Sequence, residues 1–308
     1  IELITDARGY KFLNKYNNIY VKILPSSPIV RKNIFKFSIS IILIFYSIIR
    51  SILYLLLNRP KIIFGMGGYA AFPICIAATI LKIKFIIYEN NLILGKSNKY
   101  LLPFSEKIFV SHKDLVGIPD KFKNKTHEIG NIINKQILNF KKIKSDKDNL
   151  KKINVLVLGG SQAAKVFAEV LPSIFKKCSQ RGMNLKIYQH CLPDQVKELN
   201  LYYNNSKIDF EAFTFSNNLI EYFSKVNLAI TRSGASMLAE LTNANIPFIS
   251  IPLPSSADNH QLENALFYQK KNYAFLIQEK NLNDKLFNLI EEIYNNNQLL
   301  TNICKNQR

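Results

Sequence analysis

The stretch PKIIFGMGGYAAFPICIAATIL, Pro60 to Leu81, places Gly65, Gly67 and Gly68 between two apolar runs. The first run is short and Ile-rich, as a buried strand is, and the second is long enough for a helix. Glycine between them permits positive φ and lets another group approach the main chain closely. A single loop of this kind reads equally well as a tight turn. The device recurs, however. VLVLGGSQAAKVFAEVLP, Val155 to Pro172, carries Gly159, Gly160 and Ser161 between strand and helix, and LAITRSGASMLAELTNANIP, Leu228 to Pro247, carries Arg232 to Ser236 there. Small residues at a helix start bare N–H groups at the positive end of the helix dipole, where a phosphate or diphosphate is the natural ligand.

Outward from these loops the same alternation continues. IELIT, IYVKIL, KFIIY, KIFVS, LKIYQH, KIDFEAF, PFISIP and YAFLI read as further strands, with segments of helical period between most of them. That pattern predicts parallel sheets of the α/β class. Residues 134–152, NKQILNFKKIKSDKDNLKK, are polar and Lys-rich without sustained period and read as a linker. The expected organisation is therefore two doubly wound domains, 1–133 and 153–308.

Composition narrows the classes. With 308 residues, 48% hydrophobic and 20% charged, the chain is globular and long enough for two domains. Cys75, Cys178, Cys191 and Cys304 form no C-x-x-C pair, so neither a zinc site nor a disulfide framework is expected, and a reduced, cytoplasmic setting fits. The net charge of +19 would attract nucleic acid, anionic lipid or phosphorylated substrates. It accompanies a general excess of Lys, Ile and Asn, with no basic-aromatic RNA motif and no recognition helix. Anionic lipid is the expected partner and nucleic acid is not. There is no GxxxxGK[ST], which excludes a P-loop NTPase, and GMGGYA lacks the third glycine of a dinucleotide fingerprint.

Residues 34–57, IFKFSISIILIFYSIIRSILYLLL, are almost continuously apolar, with Lys36 and Arg50 the only charges. The 13 residues between them fall short of a spanning helix. On a helix Lys36, Ser40, Ser47, Ser51 and Asn58 share one narrow face. Three readings stand: a core helix, a helix half in the core and half in a bilayer interface, and a membrane span. The surrounding α/β pattern weighs against the span.

Polar residues cluster where strands end. Glu240 lies about one turn into the helix after Ala235, where carboxylates near phosphate loops hold ribose hydroxyls, although the helix dipole alone would justify it. Asp258, His260, Gln261 and Asn264 open another helix, as capping residues also do. Glu89, Asn90 and Asn91 follow the strand KFIIY at its carboxyl end.

GMGGYAAFP, YENNLILGKSNKYL, EIGN, LGGSQAA, RSGASMLAEL and ADNHQLENA occur in the order and spacing of the MurG family, which the chain resembles from about residue 3 to 290. The resemblance implies a GT-B fold, two Rossmann-like domains facing across a cleft. It implies transfer of N-acetylglucosamine from UDP-N-acetylglucosamine to a lipid-linked muramoyl-pentapeptide, with no metal and no cofactor, at the cytoplasmic face of the bacterial inner membrane. By matching position it implies donor contacts from Asn91, Asn134, Ser161, Ser216, Gln261 and the segment Ala235, Ser236, Met237, Leu238, Ala239 and Glu240. Gly67, Gly68, Tyr69, Asn98, Arg232 and Asn264 match the acceptor side.

The departures are specific. The family's HEQN is YENN here, with Tyr88 for His; Asn134 stands where the family has Arg; and HQxG has become Tyr188-Gln189-His190-Cys191. The family's first strand and its GGTGGH loop have no counterpart, and the C-terminal crossing helix is short, so this chain as numbered is expected to bind UDP but transfer poorly or not at all. Glu89 is a candidate base for the acceptor hydroxyl and equally a structural acceptor for backbone N–H groups. The rival functions are another UDP-sugar transferase or epimerase of the same fold, and a membrane-associated binding module without turnover.

Overall fold

The computed structural model describes residues 1–11, 13, 19–26, 34–140, 152–159, 161–214 and 219–308. The chain forms two compact units, Ile1–Gly130 and Asn131–Arg308.

In the first unit β1 (Glu2–Thr5) and β2 (Tyr20–Ile23) form a parallel pair, with the short helix α1 (Ala7–Tyr10) after β1. A separate parallel sheet runs in chain order: β3 (Ile63–Gly65), β4 (Phe85–Glu89), β5 (Lys107–Val110) and β6 (Thr126–Glu128). Helices α2 (Ile34–Leu57), α3 (Gly68–Ile80) and α4 (Lys96–Leu101) complete it. Phe85, Ile87, Ile108 and Val110 pack with Ile74, Ala77 and Ala78 of α3 and with Leu55 of α2. The apolar runs therefore bury one face of the sheet, and that burial is what orders the strand ends above it.

Helix α2 reverses the usual arrangement. Ser40, Ser47 and Ser51 are buried, and their hydroxyls donate to the carbonyls of Lys36, Leu43 and Ser47 one turn back. Phe35, Ile42, Phe45, Ile49, Leu53 and Leu57 are exposed. Within the apolar stretch Phe35–Leu57 an 18-residue window has a mean hydropathy of 2.2, yet only 22% of that window is buried. A core helix would be covered, so of the three readings that one does not fit. Small serines let the α2 backbone lie close to α3, and bonding to their own carbonyls satisfies their hydroxyls.

The second unit holds a six-stranded all-parallel sheet, ordered β12 (Phe275–Leu276), β11 (Phe248–Ser250), β10 (Leu228–Thr231), β7 (Ile153–Leu158), β8 (Leu185–His190), β9 (Asp209–Phe213). Its central strands β7, β10 and β11 are buried on both sides, as uninterrupted apolar runs require, while the edge strands β9 and β12 are only partly buried. On one face Phe167, Leu171 and Phe175 of α6 (Ser161–Gln180) pack with Leu286, Ile290 and Ile293 of α11 (Leu282–Asn295). On the other, Phe223 of α8 (Leu219–Lys225), Leu238 and Leu241 of α9 (Ala235–Asn243) and Tyr268 of α10 (His260–Lys270) form a second layer. Helices α7 (Val196–Asn205) and α12 (Gln298–Gln307) complete the unit.

The expected boundaries shift. The first unit closes at Gly130 rather than residue 133. Residues 134–140, expected as linker, contain helix α5 (Lys135–Leu138), whose Ile137 is buried in the second unit's core. Ile137 and Phe140 pack on that core, and Asn243 of α9 donates to the Ile137 carbonyl at 2.8 Å, which holds the segment on α9. The rest of the expected linker, 141–151, lies outside the described residues.

Candidate active site

The chain lays down β7, β8 and β9 in one direction and then returns to place β10 on the other side of β7. Such a switch of direction opens a crevice at the carboxyl ends of the two central strands. Two of the small-residue loops read from the sequence leave the sheet here. Ser216 and the side chain of Ser161, both expected at the donor, lie outside the described residues, as does Gly160 of the loop after β7.

After β10, Gly234 stands at the N-cap of α9 with φ −69° and ψ 130°, and no side chain caps it. The first-turn N–H groups thus have no intrahelical acceptor and carry the positive end of the dipole. Ala235, Leu238 and Ala239 are buried and fix α9 on the sheet, Met237 is partly buried, and Ser236 is exposed. Glu240 is half-buried one turn on. Burial pushes its carboxyl up from the ordinary value, while a bond from the Asn134 backbone N–H opposes the rise. The Asn134 side chain caps α5, accepting from Gln136 N at 2.9 Å. Asn134 therefore reaches Glu240 through its backbone, and its side-chain oxygen is already engaged.

A polar lattice ties the β10–α9 loop to the β11–α10 loop. Gln261 Oε1 accepts from Ser233 N at 3.2 Å and Leu253 N at 3.0 Å, which leaves its Nε2 as a donor. Asn264, 1% exposed, donates to Ser233 O at 3.1 Å. Ser233 Oγ and Ser250 Oγ are 2.7 Å apart. Arg232 is buried: it pairs with Glu279 at 2.5 Å, lies over the Phe167 ring at 4.8 Å and donates to the carbonyls of Ile251 and Pro252. Arg232 and Asn264, matched to the acceptor side, both sit beside Gln261 in the second unit.

The first unit assembles the other group. Gly67 adopts φ 76° and ψ −172° and Gly68 φ 70°, conformations that side chains resist. A Cβ on Gly67 would lie 3.2 Å from the Asn98 amide nitrogen and 3.4 Å from the Tyr88 carbonyl. Asn98 is 2% exposed; its Nδ2 donates to Tyr88 O and Glu89 Oε2, both at 2.9 Å, and its Oδ1 is buried without a partner. Glu89, 4% exposed, accepts four bonds: from Asn91 N (3.1 Å) and Asn91 Nδ2 (2.9 Å) at Oε1, and from Gly95 N (2.9 Å) and Asn98 Nδ2 at Oε2. A carboxylate so occupied organises the 89–98 loop, and of the two readings left open for Glu89 the structural one fits. Asn91 is held by that same carboxylate.

Sequence reasoning marked Ser233 only as part of a small-residue loop and missed Ser250 and Glu279, whose partners Ser233 and Arg232 lie elsewhere in the chain and which no local pattern marks. It also missed Asp6 and Arg8 beside Tyr69, where TDARG does carry a readable signal, an Asp before a short helix.

Comparison with known proteins places this geometry. The glycosyltransferase family 28 N-terminal domain matches residues 1–110, and the glycosyltransferase family 28 C-terminal domain matches residues 154–307. The chain is 36% identical over 298 residues to the UDP-N-acetylglucosamine--N-acetylmuramyl-(pentapeptide) pyrophosphoryl-undecaprenol N-acetylglucosamine transferase of Pelagibacter ubique, covering 94% of this chain and 82% of that one. It is 34% identical over 313 residues to the enzyme of the same name from Rickettsia bellii, covering 99% and 86%. The crystal structure of Acinetobacter baumannii MurG superimposes with a TM-score of 0.76 at 23% identity, over 100% of this chain and 85% of that one. A UDP complex of S. aureus MnaA gives 0.61 at 11% identity, over 96% and 85%. The two structures show the GT-B fold; the identities and the two domain matches show that the chain belongs to glycosyltransferase family 28.

Proposed function

We propose that, against the expectation of little or no turnover, the chain transfers N-acetylglucosamine from UDP-N-acetylglucosamine to a lipid-linked muramoyl-pentapeptide and releases UDP. What carries the reading is that the likeness to the Pelagibacter ubique enzyme runs through both units. In the transfer an acceptor hydroxyl attacks the anomeric carbon from the face opposite the diphosphate. A new C–O bond forms, the anomeric C–O bond to phosphate breaks, and the hydroxyl proton passes to a base. Inversion follows from that in-line geometry.

The leaving diphosphate gathers negative charge as its bond breaks. The uncapped N-terminus of α9 supplies oriented N–H groups for it, which is electrostatic stabilisation of the transition state without a metal. Glu240 accepts from the ribose hydroxyls, and Gln261 donates through its free Nε2 to the sugar. Asn91, Ser161 and Ser216 complete the donor side in this reading, and Gly67, Gly68, Tyr69 and Asn98 take the acceptor. The exposed face of α2 lies in the interface of an anionic membrane, where the acceptor's lipid is anchored. Nucleic acid has no place in the scheme.

Radiolabelled sugar transfer, measured alongside UDP affinity, tests the proposal. Label in a lipid-linked disaccharide supports it. Label in an epimerised nucleotide sugar or a soluble disaccharide refutes it, and tight UDP binding without transfer to any acceptor leaves only the binding module.

A further inference from the structure

A cation lies against the Gly67–Tyr69 loop that the transfer scheme leaves unused. The Arg8 guanidinium donates through Nε to Asp6 Oδ2 at 3.0 Å and through a terminal nitrogen to the same oxygen. Asp6 is only 6% exposed, and its other oxygen accepts from Arg8 N at 3.1 Å and Gly9 N at 2.8 Å. Ser26 Oγ, from the segment after β2, donates to Oδ2 at 2.9 Å. Burial alone would raise the Asp6 carboxyl, but the bonds from Gly9, Arg8 and Ser26 hold it at about 2, so it stays charged. A carboxylate fixed from two elements fixes the guanidinium in turn. The guanidinium carbon sits 4.3 Å from the centroid of the Tyr69 ring, within cation–π range.

Tyr69 needs such a stop. It follows two glycines at positive φ, and nothing lies within 4 Å of where a Gly68 side chain would be. We propose that Asp6 and Arg8 form a positioning pair that sets the Tyr69 ring at the acceptor loop. The pair acts through Tyr69, so it governs acceptor affinity and leaves the donor site alone. The inference rests on the acceptor-side reading of Gly67, Gly68 and Tyr69. A ring displaced by even an ångström degrades a bound geometry disproportionately.

The test is calorimetric titration of the full chain with a short-prenyl, diphosphate-linked muramoyl-pentapeptide, with UDP as the second ligand. Arg8→Ala weakens the acceptor analogue about two- to fivefold, the scale of a solvent-exposed cation–π contact. Arg8→Lys recovers part of that, since it keeps a charge over the ring but loses the fork to Asp6. In a Tyr69→Ala background Arg8→Ala has no further effect, because coupled residues are non-additive. UDP affinity is unchanged throughout. The same loss in both backgrounds overturns the pair while sparing the acceptor-side reading. Unchanged analogue binding in Tyr69→Ala, or no analogue binding by the parent chain, overturns that reading and the pair with it. A parallel fall in UDP affinity and melting temperature for Arg8→Ala shows a merely structural role and overturns the pair alone.

Discussion

Replacing Glu89 by Gln decides between a proton acceptor and a structural one. The two side chains are nearly isosteric, so a general base changed to Gln loses turnover while the fold stands. The geometry predicts the opposite emphasis. Each carboxylate oxygen accepts two donors, Asn91 N and Nδ2 on one and Gly95 N and Asn98 Nδ2 on the other. Gln keeps one carbonyl oxygen and can serve one of these pairs. Its NH2 group then faces two N–H donors with no acceptor between them. Each stranded buried donor costs about 1–3 kcal/mol, so the substitution costs about 4 kcal/mol. For a unit spanning Ile1–Gly130, that lowers the melting temperature by about 15 °C. Calorimetry on the full chain reads the drop, and hydrogen exchange at the Asn91 and Gly95 amides locates it. A Glu89→Gln protein that melts within about 2 °C of the parent, with both amides still protected, would refute the structural argument and restore Glu89 as the base.

Other outcomes follow from the same geometry. Glu240→Gln weakens UDP by about 1–3 kcal/mol in calorimetric titration, because a buried hydrogen-bonding group loses its match. It does not lower stability at neutral pH, since a carboxyl raised by burial favours the fold below its unfolded value and costs stability once ionised; a lower melting temperature at pH 7 would contradict this. Gly67→Ala destabilises the first unit by about 1–3 kcal/mol in urea unfolding, through positive φ and the crowded Asn98 and Tyr88 atoms; an unchanged midpoint would show that the loop relaxes freely. Vesicle co-sedimentation requires anionic lipid and weakens with salt, and Phe45→Asp with Leu53→Asp abolishes it. Release by detergent alone at every salt concentration would mean a span.

Much of the fold was legible because apolar runs and small-residue loops are local signals. Every strand read from the runs is present. Strand β6 escaped because Thr126–Glu128 is polar and short; it sits at the sheet edge, where its register with Ile108–Val110 and not its own side chains makes it a strand. Helix α5 escaped because Ile137 gains its burial from α9, a hundred residues later in the chain. The site was legible as motifs but not as roles. Asn134 stood where a donor contact was implied, and its side-chain oxygen caps a helix. Glu89 could not be assigned from its neighbours, because two of its donors come from Gly95 and Asn98, after a further turn of chain.

In α2 the usual link between hydropathy and burial is inverted, and that predicts how the helix tolerates change. At Ser47 and Ser51, both 0% exposed, volume is the constraint, so Ala is accepted while Leu forces α2 away from α3. At Ile42, Phe45 and Leu53 size is free and only apolar character is held. A saturation scan scored for solubility alone would reward polar residues on the outer face and report the serines as the sensitive positions. Scored for growth, the same library would penalise both faces, each by a different rule: cubic ångströms on one side, chemical class on the other.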